Sequence, residues 1–312
     1  MSALHVITGA GPVGRTVATQ LAHAGHHVRL LTRSGSGPRH ENIERRAVDV
    51  HDESALRAAV DGATAVYHCA HAAYSAAAWA TALPAMEQAV LRAAADSVVV
   101  FPESLYSYSE PSRPMTEDSP RAATGGKRGM RTELLRARQA SATPTVSVVA
   151  SDFFGPHVHT AHAGDRMVGA VLAGRTVRVM GSADQPHSFT YVPDYAGAMV
   201  AAAARPQVWG SVLHAPTGPA LTQRQLVHAL AEAAGVPATV RTLPSWVLRA
   251  GALVPGSLRE LAEMLYQFEQ PFVLDSRRSE ELLGLAPTPL TQAVRETVAW
   301  WRTEQPNATG RR

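Results

Sequence analysis

The 312-residue chain contains a single cysteine, Cys69, and a single lysine, Lys127. One cysteine can form no internal disulfide, which excludes a disulfide-stapled secreted fold and makes a reducing, cytoplasmic setting the expectation. No apolar run approaches the roughly 20 residues needed to span a bilayer, so no membrane partner is expected. The opening Met1-Ser2-Ala3 runs straight into Leu4-His5-Val6-Ile7, without the basic stretch or cleavage site of a signal peptide. Charge is also scarce, at 18 % of residues with a net +3, and no Lys/Arg block interleaves with aromatics. Nucleic acid is therefore not an expected partner either. Against these absences, 46 % of residues are hydrophobic, enough for one large globular domain or a core domain with a satellite.

All but one of the 29 basic residues are arginine. On a solvated surface the two basic types interchange, but not where a compact ammonium on a flexible stem is required. Lys127 is a candidate functional residue on that ground.

The pattern along the first half alternates short apolar runs with helical segments. Residues 3–8 read as a buried strand ended by a glycine turn, and 12–24 as an Ala-rich helix with Pro12 at its first turn. Strands follow at 27–32 and 43–48, a helix at 53–60 and a strand at 65–68. A long helix at 75–95, a strand at 98–101, a helix at 128–141 and a strand at 145–149 complete the series. Strands alternating with helices over 150 residues demand a parallel sheet covered on both faces. Beyond residue 154 the order loosens, with helices near 222–234 and 291–301.

Gly9-Ala10-Gly11-Pro12-Val13-Gly14 is a G-x-G-x-x-G placed between the first strand and the first helix, the context that gives the pattern meaning. The first glycine permits the tight turn, the second lets a pyrophosphate approach the backbone, and the third lets helix and strand pack closely. The helix N-terminus adds N–H donors and a positive dipole end. These features predict an α/β fold, a doubly wound parallel Rossmann sheet with a smaller C-terminal substrate-binding lobe. The nucleotide-binding domain is placed at 1–155, with 188–215 returning to it, and the lobe at 156–187 and 216–312. At the end of the second strand, where an NAD site carries an acid for the ribose hydroxyls, this chain has Thr32-Arg33. An arginine there pairs with a 2′-phosphate, so NADP(H) is expected over NAD(H).

The run from Thr8 through Gly9, Gly11, Pro12, Val13 and Gly14 resembles the opening of the extended and atypical short-chain dehydrogenase/reductases, the NAD-dependent epimerase/dehydratase superfamily. Asp49-Val50 resembles its adenine-contacting pair, and Cys69-Ala70-His71 the stretch lining the cofactor after the fourth strand. Ser151-Asp152-Phe153-Phe154-Gly155-Pro156 is similar to its segment beside the nicotinamide. Phe189-Thr190-Tyr191-Val192-Pro193-Asp194 is similar to its later strand-to-helix motif, with Asp194 expected as N-cap. The resemblance covers residues 4 to about 301.

That family sets Tyr and Lys four residues apart on one helix, assisted by a Ser or Thr from the fifth strand. No tyrosine of this chain has a lysine four residues later. Matching the family helix puts Gly125 at the tyrosine position and Gly129 at the lysine position. Ser104 matches the assisting serine. Tyr106 and Tyr108, which an extended chain places on one side, are candidate proton donors, as is Lys127, also a cofactor candidate. Tyr74 and Trp79 follow the fourth strand, where the ligand crevice of this fold opens. With Phe154, His187, Tyr191 and Tyr266 they are candidate substrate contacts, and such a pocket suits a planar, hydrophobic small molecule.

The histidine groups His23/His26/His27 and His157/His159/His162 lack a closely spaced carboxylate or cysteine partner, so no metal is expected. The expectation is an NADP(H)-dependent oxidoreductase acting on a carbonyl or activated double bond. An epimerase or dehydratase, or a non-catalytic NADP(H) sensor, are its rivals. A homodimer is left open.

Overall fold

The computed structural model describes residues 3–251 and 257–304. The lobe range given above also takes in 252–256 and 305–312, and the domain range takes in residues 1 and 2; these lie outside the described residues.

Seven strands form the central sheet, β1 (Leu4–Thr8), β2 (His27–Thr32), β3 (Ile43–Ala47), β4 (Ala65–His68), β5 (Val98–Ser104), β6 (Thr145–Ala150) and β10 (Val212–His214). Their order is β10-β6-β5-β4-β1-β2-β3 and every pairing is parallel. The chain leaves β1 toward β2 on one side and returns to β4 on the other, so the crevice opens at the carboxyl ends of β1 and β4.

Burial on both faces explains why the strands read as unbroken apolar runs rather than alternating ones. Ile7, Tyr67, Val98 and Val100 face a core shared with α1 (Pro12–His23) and α6 (Val192–Ala203). Val6, Val66 and Val99, one residue out of phase, face α2 (Glu53–Val60) and α3 (Ala76–Ala93). Asp52 caps α2 by accepting from the Ala55 N–H at 3.0 Å, and Ser75 caps α3 through Ala78 at 3.1 Å. Gly11 caps α1 with no side-chain bond, leaving its first N–H groups open.

Helix α4 (Gly126–Gln139) carries Arg138, 3 % exposed, into the protein interior. There it bonds Glu87 of α3 at 2.5 and 2.8 Å and Glu103 of β5 at 2.8 Å. A charge this deep is tolerable only with its counter-charges in place, so the three elements are tied together at one point.

The second half builds a separate core from β7 (Asp152–Phe154), β8 (Val177–Met180), β9 (Phe189–Tyr191), β11 (Val240–Leu243), the short α5 (Ala170–Leu172), α7 (Gln223–Ala234) and α12 (Leu290–Glu304). Two small parallel pairs, β7–β9 and β8–β11, frame it. Helix α7 starts with a Thr222–Gln225 capping box and ends at Gly235 in the left-handed region. Short helices α8 (Ser245–Gly251), α9 (Ser257–Ala262), α10 (Tyr266–Glu269) and α11 (Arg277–Leu283) complete the lobe. Asp194 is not the N-cap of α6, because Tyr191 holds that position. Within the first turn of the helix, Asp194 accepts from the Thr288 backbone at 2.8 Å and hydroxyl at 2.6 Å, fastening the approach to α12. Among the described residues, no helix is long and apolar enough to cross a membrane.

Candidate active site

The glycine loop has the shape a dinucleotide needs. Gly9 has φ +87°, and a Cβ on it would lie 2.6 Å from the Ala70 nitrogen, so strand β4 and the loop can approach only without a side chain. A Cβ on Gly14 would collide with the Gly9 carbonyl oxygen, whereas one on Gly11 would point into open space. That space lies over the uncapped N-terminus of α1, whose first turn holds no acidic residue. Thr8 is fully buried, its hydroxyl 2.7 Å from Nδ1 of His68. Val13 and Val50 are buried, and Asp49 is exposed with Oδ1 accepting from the His51 N–H at 3.0 Å. Arg33 follows β2 exposed and makes no hydrogen bond or ion pair among the described residues. Burial pushes the Cys69 thiol up to about 12, so it stays protonated and is no nucleophile.

Past β4 and β5 the chain gathers an aromatic cluster. Tyr106 stacks on Trp79 with ring centroids 6.2 Å apart, Tyr74 meets Trp79 edge-on at 5.5 Å, and His71 does so at 4.9 Å. The Tyr74 and Tyr106 hydroxyls lie 3.3 Å apart. His71 donates from Nδ1 to the Ala72 carbonyl and accepts at Nε2 from Arg131, 2.6 Å away. Arg131 also covers the Trp79 ring at 4.7 Å and pairs with Glu103 at 3.5 Å. Ser104 closes β5, its N–H and hydroxyl both directed at Glu103, 2.8 and 3.3 Å away. Burial, with the charge of Asp152 behind it, pushes the Tyr106 phenol well above its ordinary value.

Tyr106 and Tyr108 do not share one side. Leu105–Ser107 form a 3₁₀ turn rather than extended chain, and this rotates the two rings apart. Tyr108 is fully buried and donates to Nε2 of His214 at 2.6 Å, while His214 Nδ1 donates to the Asp275 carbonyl at 2.7 Å. It is a packing residue and not a proton donor to a ligand.

Lys127 is likewise removed from the chemistry. It sits inside the first turn of α4, and its side chain has no exposure. Its ammonium pairs with the Glu260 carboxylate and with Glu263 at 2.8 Å, and its backbone N–H donates to Glu263 at 2.7 Å. Beyond that clamp it reaches only the face of Tyr74, 4.8 Å from the ring centroid. Its carboxylate partners outweigh burial and hold it above the usual lysine value, so it keeps its proton.

Three of the expected substrate contacts are core. Phe154 and Tyr191 pack together at 5.4 Å in the lobe interior, and the Tyr191 hydroxyl donates to Glu296 at 2.6 Å. His187, 1 % exposed, is stacked between Phe268 and Phe272 at 5.1 and 5.3 Å. Trp79, 2 % exposed, is the floor of the aromatic cluster rather than its wall.

His187 nevertheless bears on the site through Asp152. Nε2 donates to Asp152 Oδ2 at 2.9 Å, and Nδ1 faces the Gln267 carbonyl at 3.2 Å. Burial alone would raise the Asp152 carboxyl, but the His187 bond and charge outweigh it and hold it below the usual range. Asp152 therefore carries charge, and it adds to the burial that chiefly raises Tyr74, Tyr106 and Tyr266. Tyr266 lies under Arg128, whose guanidinium is 4.6 Å from the ring centroid and donates to the Tyr108 carbonyl at 2.7 Å. A cavity of about 610 Å³ lined by Ala76, Thr124, Gly126, Arg128, Glu260 and Glu263 opens between α3, the start of α4 and α9. Glu103, Arg131, Glu260 and Glu263 were not singled out from the sequence. The signal for Glu103 was legible, since a carboxylate inside an apolar strand needs a buried cation. Among the described residues no group of three or more His, Cys, Asp or Glu side chains could hold a metal ion.

The sequence profile of the NAD dependent epimerase/dehydratase family matches residues 5–211. The chain belongs to this family. No curated protein matches it. Among solved structures it is similar to the epimerase Mth375 of Methanothermobacter thermautotrophicus, at 19 % identity and a TM-score of 0.79 over 99 % of this chain and 95 % of that one. It is also similar to WbmH of Bordetella bronchiseptica in complex with NAD+, at 19 % identity and a TM-score of 0.74 over 97 % and 99 %. A third is the UDP-glucose 4-epimerase of Thermus thermophilus in complex with NAD, at 21 % identity and a TM-score of 0.74 over 96 % and 99 %. At these identities the likeness is one of fold.

The two positions matched from the sequence to the family's tyrosine and lysine are both glycine. Gly125 has φ +73°, a conformation a tyrosine adopts only under strain, and a Cβ on Gly129 would stand 3.0 Å from the Thr124 carbonyl carbon.

Proposed function

We propose that this family member is an NADP(H)-dependent reductase of a carbonyl or activated double bond in an aromatic small molecule. The open space above Gly11, the uncapped start of α1 and the unpaired Arg33 fit a dinucleotide with a 2′-phosphate. The NAD bound in the Bordetella and Thermus structures supports a dinucleotide of this class, and Arg33 in place of an acid is what favours the phosphorylated form. Bound there, the cofactor supplies a hydride.

The observation that carries the reading is the position of the Tyr106 phenol, its ring stacked on Trp79 and its hydroxyl 3.3 Å from that of Tyr74. The phenol is held well above its ordinary pKa, and the one ammonium nearby is neutralised by two glutamates. Such a phenol keeps its proton and can donate it to an oxygen that gains charge as hydride adds to carbon. Tyr74, half-exposed and 3.3 Å away, can pass it a replacement proton from solvent. Ser104 can turn its hydroxyl from Glu103 toward the carbonyl and orient it. Epimerisation or dehydration, the rival within the family, requires a base, which a neutral phenol does not provide.

Loss of NADPH absorbance across a panel of aromatic ketones, quinones and enones tests the reading. Turnover of at least one class is expected, lowered about a hundredfold by Tyr106→Phe. A protein that binds NADPH but consumes none, while inverting a sugar nucleotide, would overturn it.

A further inference from the structure

The cavity between α3, the start of α4 and α9 has the volume of a small-molecule site, about 610 Å³, and the chemistry above uses none of its charged walls. Four charged side chains line it, Arg128, Arg259, Glu260 and Glu263. The glutamates are already committed. Glu260 accepts from the Ala76 N–H at 3.0 Å and pairs with Lys127, and Glu263 takes both the Lys127 N–H at 2.7 Å and its ammonium at 2.8 Å. The arginines have no carboxylate partner among the described residues. Arg128 donates only to the neutral carbonyls of Tyr106 and Tyr108, at 3.4 and 2.7 Å, and covers the Tyr266 ring. The Arg259 side chain is exposed, with no hydrogen bond or ion pair among the described residues. With Lys127 counted beside its two glutamates, three cations stand against two carboxylates, a surplus of one positive charge. Room for a ligand is left at Gly125, which lines the cavity and where a Cβ would meet nothing within 4 Å.

We propose that this cavity holds a carboxylate of the substrate at Arg128 and Arg259, so that the protein selects aromatic carbonyl compounds that are also acids. A carboxylate takes parallel N–H bonds from a guanidinium, charge-assisted bonds that a neutral amide or ester does not match. A singly charged group balances the surplus, whereas a phosphate dianion sets a second negative charge against Glu260 and Glu263 with nothing to offset it. Arg128 links this end of the substrate to the reacting end, because the guanidinium that lines the cavity is bonded to the carbonyl of Tyr106, whose phenol donates the proton. The substrate class is thus an aromatic oxo-acid, and the reductase reading is needed only for placing its carbonyl at Tyr106.

The test is calorimetric titration with the acetylbenzoates and the matching acetylbenzamides, each with saturating NADPH so that the glycine loop and Arg33 are occupied. At least one acid is expected to bind about tenfold or more tightly than its own amide, the scale of one hydrogen bond to a charged group, and added salt should narrow the gap. Arg259→Gln, a change at an exposed side chain, should bring the ratio to within about threefold with NADPH affinity unchanged. Ala77→Glu puts an acid on the cavity wall, in a first turn of α3 that has none, where it suits the helix and repels an anion. It should erase the preference for acids while the amides bind as before, and so tests the site even where Arg259→Gln folds poorly. Equal binding of acids and amides to the wild type overturns the proposal, as does an acid preference that survives both variants. Tighter binding of acetylphenyl phosphates than of acetylbenzoates would overturn the choice of a carboxylate. Acid-selective binding without any NADPH oxidation would defeat the reductase reading alone, and turnover of neutral ketones without acid preference would defeat this inference alone.

Discussion

The Tyr106 hydroxyl stands 3.3 Å from that of Tyr74, while Tyr108, two residues along, is bonded to His214 on the other side of the strand end. The two neighbouring tyrosines are therefore separable by mutation. Tyr106→Phe should lower kcat about a hundredfold, within the range typical of a lost general acid, with NADPH affinity unchanged. Tyr108→Phe should leave kcat within a few-fold and instead cost about 1 kcal/mol in urea unfolding, the loss of one buried hydrogen bond. Equal kinetic effects of the two would show that the 3₁₀ turn does not divide them.

Arg33 sets the cofactor expectation. Calorimetry should show NADPH bound more tightly than NADH, and Arg33→Ala should shrink the gap by about 1.5–3 kcal/mol, the value of a charge-assisted contact. Wild-type affinities that do not differ would remove the basis for a 2′-phosphate.

The glycines of the loop should fail in different ways. Gly11→Val extends into open space, so the fold should persist by circular dichroism while NADPH binding is lost. Gly14→Ala drives a methyl into the Gly9 carbonyl and should lower the melting temperature even without ligand. If Gly11→Val binds NADPH normally, the phosphates lie elsewhere.

Both the fold and its sheet were legible in the sequence because β1, β4, β5 and β6 are buried on both faces and leave unbroken apolar runs between amphipathic helices. The strand and helix bounds agree to within a few residues, and the crevice follows from the glycine loop alone. The site was legible only where local spacing decides geometry. Tyr106 and Tyr108 looked equivalent because extended spacing puts i and i+2 together, and a single 3₁₀ turn breaks that rule. Lys127 looked functional by scarcity, but its partners Glu260 and Glu263 lie more than 130 residues away, and no local pattern reports such a pairing. The Asp152–His187 contact spans 35 residues and was hidden for the same reason.

Acid should unfold the protein through its buried imidazoles. Burial, offset only partly by Glu87, pulls His68 from 6.5 to about 4. Between those values the unfolded chain binds a proton that the folded chain refuses, so stability is full above pH 6.5 and falls as pH drops toward 4. His68 alone contributes a loss of about 3 kcal/mol across that window, and His5, also lowered to about 4, adds to it. Urea midpoints measured through the window should decline with acid, and His68→Gln should flatten the slope. A midpoint that stays level would mean that these rings are protonated in the fold.

Arg138 should tolerate no single-sided change. Arg138→Met leaves Glu87 and Glu103 buried without their shared cation and should cost about 3–5 kcal/mol by denaturant unfolding, whereas Glu103→Gln, which leaves Glu87 on Arg138, should cost less. A loss below about 1 kcal/mol would place the network in water.

The glutamate clamp on Lys127 gives the described residues an unusual chemical property. Their one ε-amine is fully enclosed and charged, so reagents that acylate lysine find no lysine side chain exposed among the described residues. Acylation of Lys127 can proceed only when α9 lifts from α4, and its rate then counts how often the lobe leaves the crevice. The chain carries its own reporter of opening, readable by mass spectrometry with no label introduced.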